Sequence, residues 1–217
     1  MIGKSGLPPR QGLPMNEPPA RPLILASASL HRRKLLAAAG LSFAVVASKV
    51  DEAAIKRGLA SEGGDAASVA TKLAAAKAQA VSARMPEAVV IGADQVLTCE
   101  GQLFEKPGNF ANARLQLQRL RGRPHQLHSG VALAQNQAIV WQHCDTAHLV
   151  MRSFSEAFLQ SYLAAAGEAI WGTVGAYEIE GLGIQLFTSV RGDNSTIIGL
   201  PMLPLLTELR ARGIIRT

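Results

Sequence analysis

Val89-Val90-Ile91-Gly92-Ala93-Asp94-Gln95 is an apolar run that closes on a carboxylate. An uncharged segment of this length, rich in β-branched residues, predicts a strand buried on both faces over residues 88–93. Asp94 is then delivered at the strand's carboxyl end, where open α/β sheets place their sites. Gly92 and Ala93 leave room beside it. A carboxylate so placed suits a metal ligand, a base for water, or both. It equally suits an ordinary turn at a strand end.

The surroundings of this strand set the fold class. Upstream, Asp65 caps an Ala-rich helix that runs to about residue 84 and is closed by Pro86. Residues 23–26 form a short apolar strand, Ser29 caps a helix over 30–39 with Gly40 as its stop, and 43–48 reads as a second strand. Downstream, 96–103 suggests a hairpin about Glu100-Gly101. Asn109 caps a helix over 110–121, with Leu115 and Leu120 facing the core and Gly122 as its stop. Residues 126–134 and 138–152 read as strands paired around Gln135-Asn136-Gln137. Ser155 caps a helix to about residue 165, a glycine-rich segment fills 172–183, and 184–190 reads as a strand. Pro201 suits the first turn of a last helix reaching residue 212. Strands and helices in this mixture predict an α/β protein with a mixed sheet.

The 217 residues suit one large domain or two tightly joined lobes, and 48% hydrophobic residues supply a core. Residues 1–22 hold six prolines and no apolar h-region, so they read as a disordered leader ahead of a domain over 23–217. No apolar run reaches the roughly 18 to 20 residues that span a bilayer. The expectation is a cytoplasmic protein without a membrane partner. Cys99 and Cys144 lie in no metal-type spacing and read as reduced thiols. The net charge is +6 and the pI near 9.7. A basic balance admits nucleic acid, a membrane surface or a polyanionic small molecule. There is no long Lys/Arg block, and 5% aromatics argue against a stacking platform for single strands, so nucleic acid is not the expected partner. The excess charge suits several cations converging on one compact anion.

Leu25-Ala26-Ser27-Ala28-Ser29-Leu30-His31-Arg32-Arg33-Lys34 crowds cations onto a helix start, an end that ordinarily prefers acids. The arrangement costs ~0.3–1 kcal/mol per exposed cation. It makes sense if free N–H groups, dipole and guanidinium forks meet a polyphosphate. A solvated basic helix face fits the same residues. Lys72 and Lys77 on the Ala-rich helix, and Lys106 in Glu105-Lys106-Pro107, read either as phosphate ligands or as surface lysines. Gly181-x-Gly183 lacks the third glycine and the following helix of a dinucleotide fingerprint. Its use is a tight turn that lets a base or sugar approach, or an ordinary loop. The five histidines show no metal spacing, and neither a P-loop nor a nucleophile elbow occurs.

Taken in order, these pieces resemble the Maf-like proteins. The resemblance is carried by residues 25–33, Val50-Asp51-Glu52, Leu73-Ala74-Ala75-Ala76-Lys77-Ala78, Ile91-Gly92-Ala93-Asp94-Gln95-Val96, Lys106-Pro107, Gly122-Arg123-Pro124-His125, Gly175-Ala176-Tyr177, Glu180-Gly181-Leu182-Gly183 and Gly199-Leu200-Pro201. It implies a Maf/ITPase-like fold: an elongated mixed sheet with flanking helices, two lobes and a central cleft. It implies hydrolysis of a nucleoside triphosphate to the monophosphate and pyrophosphate, with Mg²⁺ or Mn²⁺ required. By motif position Asp94 is the proton acceptor, and Glu52 with Asp94 holds the metal. Ser27, Arg32, Arg33, Lys77 and Lys106 hold the phosphates. His31, Gln95 and Glu180 stand where family branches differ in base preference. Gln95 and Glu180 are similar to the branch preferring 7-methyl-GTP, while Gly175-Ala176-Tyr177 is similar to the branch acting on dTTP and UTP. An Asp-Lys pair often seen before Gly175 is replaced by Gly172 and Thr173. The family has also been tied to septum formation and growth control, so a non-catalytic nucleotide-binding regulator is the alternative. A homodimer is compatible with all of this.

Overall fold

The structure is a computed structural model that describes residues 21–61 and 64–216. The leader expected over residues 1–22 lies, up to residue 20, outside the described residues. Strand β1 (Leu23–Leu25) leads to α1 (Leu30–Ala38), whose first turn is capped by Ser29. After β2 (Ala44–Val45) come α2 (Glu52–Ser61) and α3 (Ala66–Ser82), the latter capped by Asp65 as expected. Then follow β3 (Val89–Cys99), β4 (Gln102–Phe104), α4 (Phe110–Leu120) capped by Asn109, β5 (Pro124–Gln135) and β6 (Ala138–Met151). Helix α5 (Glu156–Ala166) is capped by Ser155, and β7 (Phe187–Arg191), α6 (Asn194–Ile198) and α7 (Met202–Ala211) complete the chain. The sheet runs β2-β1-β3-β5-β6-β7, with β4 also on β3. β1 is parallel to β2 and β3, and the other pairs are antiparallel, so the sheet is mixed as expected.

One feature of this sheet positions everything else. β1 pairs with Val89, Val90 and Ile91, and β4 pairs with Leu97, Thr98 and Cys99 on the same strand. Between them β3 has no strand partner on that edge among the described residues. β5 meanwhile pairs with β3 from Val90 to Thr98. Asp94 is therefore not at a strand end, as the apolar run suggested, but in the middle of an eleven-residue strand. The antiparallel ladder with β5 carries the chain past the point where parallel β1 stops. Successive side chains of a strand alternate faces, so Asp94 looks toward α3 while Gln95 looks the other way.

Helix α3 lies unusually close on that first face. A Cβ on Gly92 would stand 2.0 Å from the Ala74 carbonyl oxygen, and one on Gly130 would stand 2.4 Å from that of Ala70. Only glycine admits this contact. The strands thus accept the helix backbone, and Lys77 arrives beside Asp94.

Other expectations shift in detail. Helices α2 and α6 were not read from the sequence. The strand expected over 43–48 shrinks to Ala44–Val45, and the first residues of the one expected over 184–190 belong to a 3₁₀ turn, Leu182–Leu186. Leu115 is 57% exposed. The buried stripe of α4 is Ala113, Leu117 and Leu120, spaced four and three residues apart, and Leu115 falls off it. The core is mainly apolar, with Leu97, Leu117 and Leu149 in one cluster and Leu25, Ile91 and Leu133 in another. Among the described residues no helix is long and apolar enough to cross a membrane.

Candidate active site

The break in the β3 edge opens into a groove of about 360 Å³, within the range of small-molecule sites. Ser27, His31, Arg32, Glu52, Lys77, Asp94, Gln95 and Lys106 all line it. These residues come from the β1–α1 turn, α1, α2, α3, β3 and the segment after β4. Residues spread over some eighty positions thus face one cavity. Arg33 is exposed and does not line it, because one helical step past Arg32 turns the side chain about 100° away. Glu180 lines a smaller adjoining cleft, together with His31, Gln95, Tyr177 and Glu178. His31, Gln95, Thr173, Val174 and Ile198 border both spaces, so the two are continuous.

The charged centre is Lys77. It is 8% exposed, and its Nζ donates to Asp94 Oδ1 at 2.5 Å and reaches Glu52 Oε1 at 2.8 Å. Asp94 is itself buried at 7%. Burial works to raise the Glu52 carboxyl, but the Lys77 hydrogen bond and the charges of Lys77, Lys56 and Lys106 hold it below the usual carboxylate range. Two carboxylates meeting on one ammonium are two oxygen donors within reach of one point. Among the described residues no group of three or more His, Cys, Asp or Glu is placed to hold a metal. A pair of carboxylates is nonetheless the donor set that suits Mg²⁺, which keeps waters and shares phosphate oxygens with its substrate.

Arg32 closes the gap in the sheet. Its Nη1 donates to the Ala93 carbonyl at 3.0 Å and to Ser27 Oγ at 3.2 Å, and its Nε donates to the Gly199 carbonyl at 2.8 Å. A backbone oxygen that would otherwise lack a strand partner is thus satisfied by a side chain. Burial lowers the Arg32 guanidinium from its ordinary value, with Asp94 and Glu52 opposing the shift. Ser27 Oγ also accepts from Ser29 N at 3.2 Å, which tightens the turn into α1. At the rim, Lys56 Nζ is 2.7 Å from Glu105. His31 Nε2 lies 3.2 Å from Glu178 Oε1, joining α1 to the loop that forms the smaller cleft.

Sequence reasoning had no means of finding Lys56 or Glu105 at the groove, or Glu178 at the smaller cleft. Their positions depend on how α2 and the 172–183 segment come to rest. Thr173, which with Gly172 replaces the Asp-Lys pair, lines the groove and donates its hydroxyl to the Ile170 carbonyl. His125 and His128 sit in β5: His125 Nε2 is 2.9 Å from the Tyr177 hydroxyl, and His128 lies between the Thr98 and Thr146 hydroxyls.

Residues 22–212 match the family described as Maf-like protein. The chain is 50% identical over 190 residues to a nucleoside triphosphate pyrophosphatase of Paramagnetospirillum magneticum, covering 88% of this chain and 98% of that relative. It is 46% identical over 198 residues to a nucleoside triphosphate pyrophosphatase of Nitrobacter winogradskyi, covering 90% and 96%. It is 45% identical over 193 residues to a 7-methyl-GTP pyrophosphatase of Rhizobium meliloti, covering 89% and 97%.

Proposed function

The chain belongs to the Maf-like proteins, and from that premise we propose that its groove hydrolyses a nucleoside triphosphate to the monophosphate and pyrophosphate. The observation that carries this reading is the meeting of Asp94, Glu52 and Lys77 in a cavity also lined by Arg32 and Lys106.

Water attacks the α-phosphorus. A new P–O bond forms, the bond to the bridging oxygen breaks, and its electron pair leaves with pyrophosphate. Asp94 takes the water proton. Lys77 holds Asp94 Oδ1 at 2.5 Å, which fixes the carboxylate and leaves its second oxygen for the proton. Lys77, Lys106, Arg32 and the Ser27 hydroxyl bind the phosphate chain, and their fixed positive charge favours the charge that builds on the phosphoryl oxygens. Glu52 and Asp94 are the carboxylates that would hold a divalent cation, Mg²⁺ or Mn²⁺, whose chemistry there is neutralisation of phosphate charge. The base enters the smaller cleft past His31, where Gln95 and Glu180 favour a base of the 7-methyl-GTP type. We place the reaction in the cytoplasm, among its nucleotide substrates.

The test is pyrophosphate release from a panel of triphosphates with Mn²⁺. Asp94→Asn is expected to lower kcat by about 10²- to 10⁴-fold while folding normally. Full turnover by folded Asp94→Asn removes Asp94 as the base. No pyrophosphate from any triphosphate removes the enzyme reading and leaves a nucleotide-binding regulator of growth or septum formation.

A further inference from the structure

Gln95 is held by its amide nitrogen alone. Its Nε2 lies 2.9 Å from the Ile197 carbonyl, 3.1 Å from the Thr196 carbonyl and 3.0 Å from Ser129 Oγ. Carbonyl oxygens only accept, so the group facing them is the NH₂ and not the oxygen. The two carbonyls belong to the last turn of α6, where that of Thr196 also accepts from Gly199 N at 3.1 Å. Ser129 is 0% exposed, and its hydroxyl donates to the same Thr196 carbonyl at 2.7 Å. With its one proton spent there, Ser129 Oγ meets Gln95 as an acceptor. Among the described residues no donor reaches Gln95 Oε1, which lies beside Gly199. The amide cannot rotate by half a turn without placing its oxygen against two carbonyl oxygens.

We infer that Ser129 is a positioning residue which locks Gln95 as a pure acceptor at the cleft wall. The cleft thereby takes a base with adjacent N–H donors, of the guanine type, in preference to the uracil or thymine edge. This deepens the proposed nucleotide pyrophosphatase reading and rests on it. The rest of the wall agrees. The Tyr177 hydroxyl is engaged by His125, and the His31 ring is engaged by Glu178. Among the polar groups lining the cleft, Gln95 Oε1 and the exposed Glu180 carboxylate are both acceptors. Guanine offers N1–H and an exocyclic amine side by side. Uracil and thymine offer one N–H between two carbonyls, which would meet these acceptors with like charge.

Binding of GMP and UMP, which need no turnover, separates this inference from the enzyme reading. Ser129→Ala removes one of the three acceptors that hold the amide, and it is expected to weaken GMP by about three- to tenfold while UMP stays within about twofold. Ser129→Thr keeps the hydroxyl and is expected to keep the wild-type ranking. With triphosphates the same loss is expected in KM, with kcat within about twofold. A structural serine would move thermal stability and both nucleotides together. An unchanged GMP-to-UMP ratio in Ser129→Ala, or the same loss in Ser129→Thr, overturns the lock. A second readout needs no serine variant: the Gln95 side-chain NH₂ in a ¹⁵N–¹H spectrum, assigned by its disappearance in Gln95→Leu, is expected to exchange slowly with solvent. Fast exchange of that pair in the wild type also overturns the lock. Absence of turnover alongside an intact GMP preference would strike the enzyme reading and spare the lock.

Discussion

At the residue scale the site is organised by a single ammonium. Lys77 touches both the buried Asp94 and the exposed Glu52, and so joins the two carboxylates. The Lys77 hydrogen bond and charge hold the Glu52 carboxyl down, so without Lys77 that carboxyl rises. Lys77→Met should therefore shift the acid limb of the pH–rate profile upward by about one pH unit or more. The sign follows from the chemistry: a Glu52 carboxyl that has risen is protonated, and a poorer cation ligand, over a wider acid range. An acid limb that stays in place in a folded Lys77→Met protein would mean that Lys77 does not govern the ionisation of Glu52. The two neighbouring arginines should separate as cleanly. Arg32 makes three hydrogen bonds at the groove, and Arg33 stands outside it. Arg32→Ala is expected to raise KM by about tenfold or more, at the ~1.5–3 kcal/mol of a charged hydrogen-bonding group. Arg33→Ala is expected to stay within about twofold, and steady-state kinetics on one triphosphate tests both.

At the scale of elements, the contact of α3 on β3 and β5 sets the position of Lys77. A methyl at residue 92 would stand 2.0 Å from a helix carbonyl, and backbone cannot step aside as a flexible side chain can. Gly92→Ala should cost about 1–3 kcal/mol of stability as an overpacked core position. It should also lower kcat by about 10²-fold, because lifting α3 draws Lys77 from Asp94. Gly40→Ala is the contrast. Nothing lies within 4 Å of its Cβ position, but its φ is +75°. It should cost about 1–2 kcal/mol through backbone strain alone and leave kcat intact. Urea unfolding and kcat measured on both variants separate the two causes. The glycine at 92 was legible as room beside Asp94, and the caps Ser29, Asp65, Asn109 and Ser155 were legible because each satisfies its own helix within three residues. Helix α6 was not legible. It has five residues, and its last carbonyls accept from the side chains of Gln95, 101 and 102 positions away, and Ser129, 67 positions away. Nor was the gap in the β3 edge, which exists because β1 stops and β4 begins elsewhere on the same strand. That gap is why Asp94 and Gln95, on opposite faces, border one groove. Local pattern located the catalytic candidates and could not say which way they turn.

For the whole molecule, stability in acid should report a residue remote from the phosphates. His125 is buried in β5 against the Tyr177 and Phe187 rings, with its Nε2 on the Tyr177 hydroxyl. Tyr177 in turn lines the smaller cleft. Burial pushes the His125 imidazole down to about 4, from an ordinary 6.5. In the unfolded chain this ring takes a proton below about pH 6.5, whereas in the folded protein it does so only below about 4. Between those values the unfolded state binds more protons, so acid favours unfolding. The contribution is intact above pH 6.5, and roughly 2–3 kcal/mol is lost by pH 4. Burial lowers the His128 imidazole as well, which adds a slope of the same sign. The depressed Glu52 carboxyl acts in the same sense but in a lower window, below the ordinary carboxylate value of 4.5. Urea midpoints between pH 7 and pH 4 should therefore fall before the carboxylates titrate. His125→Phe, which keeps an aromatic ring between Tyr177 and Phe187, should flatten that part of the curve even though it forfeits the hydrogen bond and is less stable at pH 7. An unchanged slope in His125→Phe would assign the acid sensitivity to another group and show that His125 already carries its proton in the core.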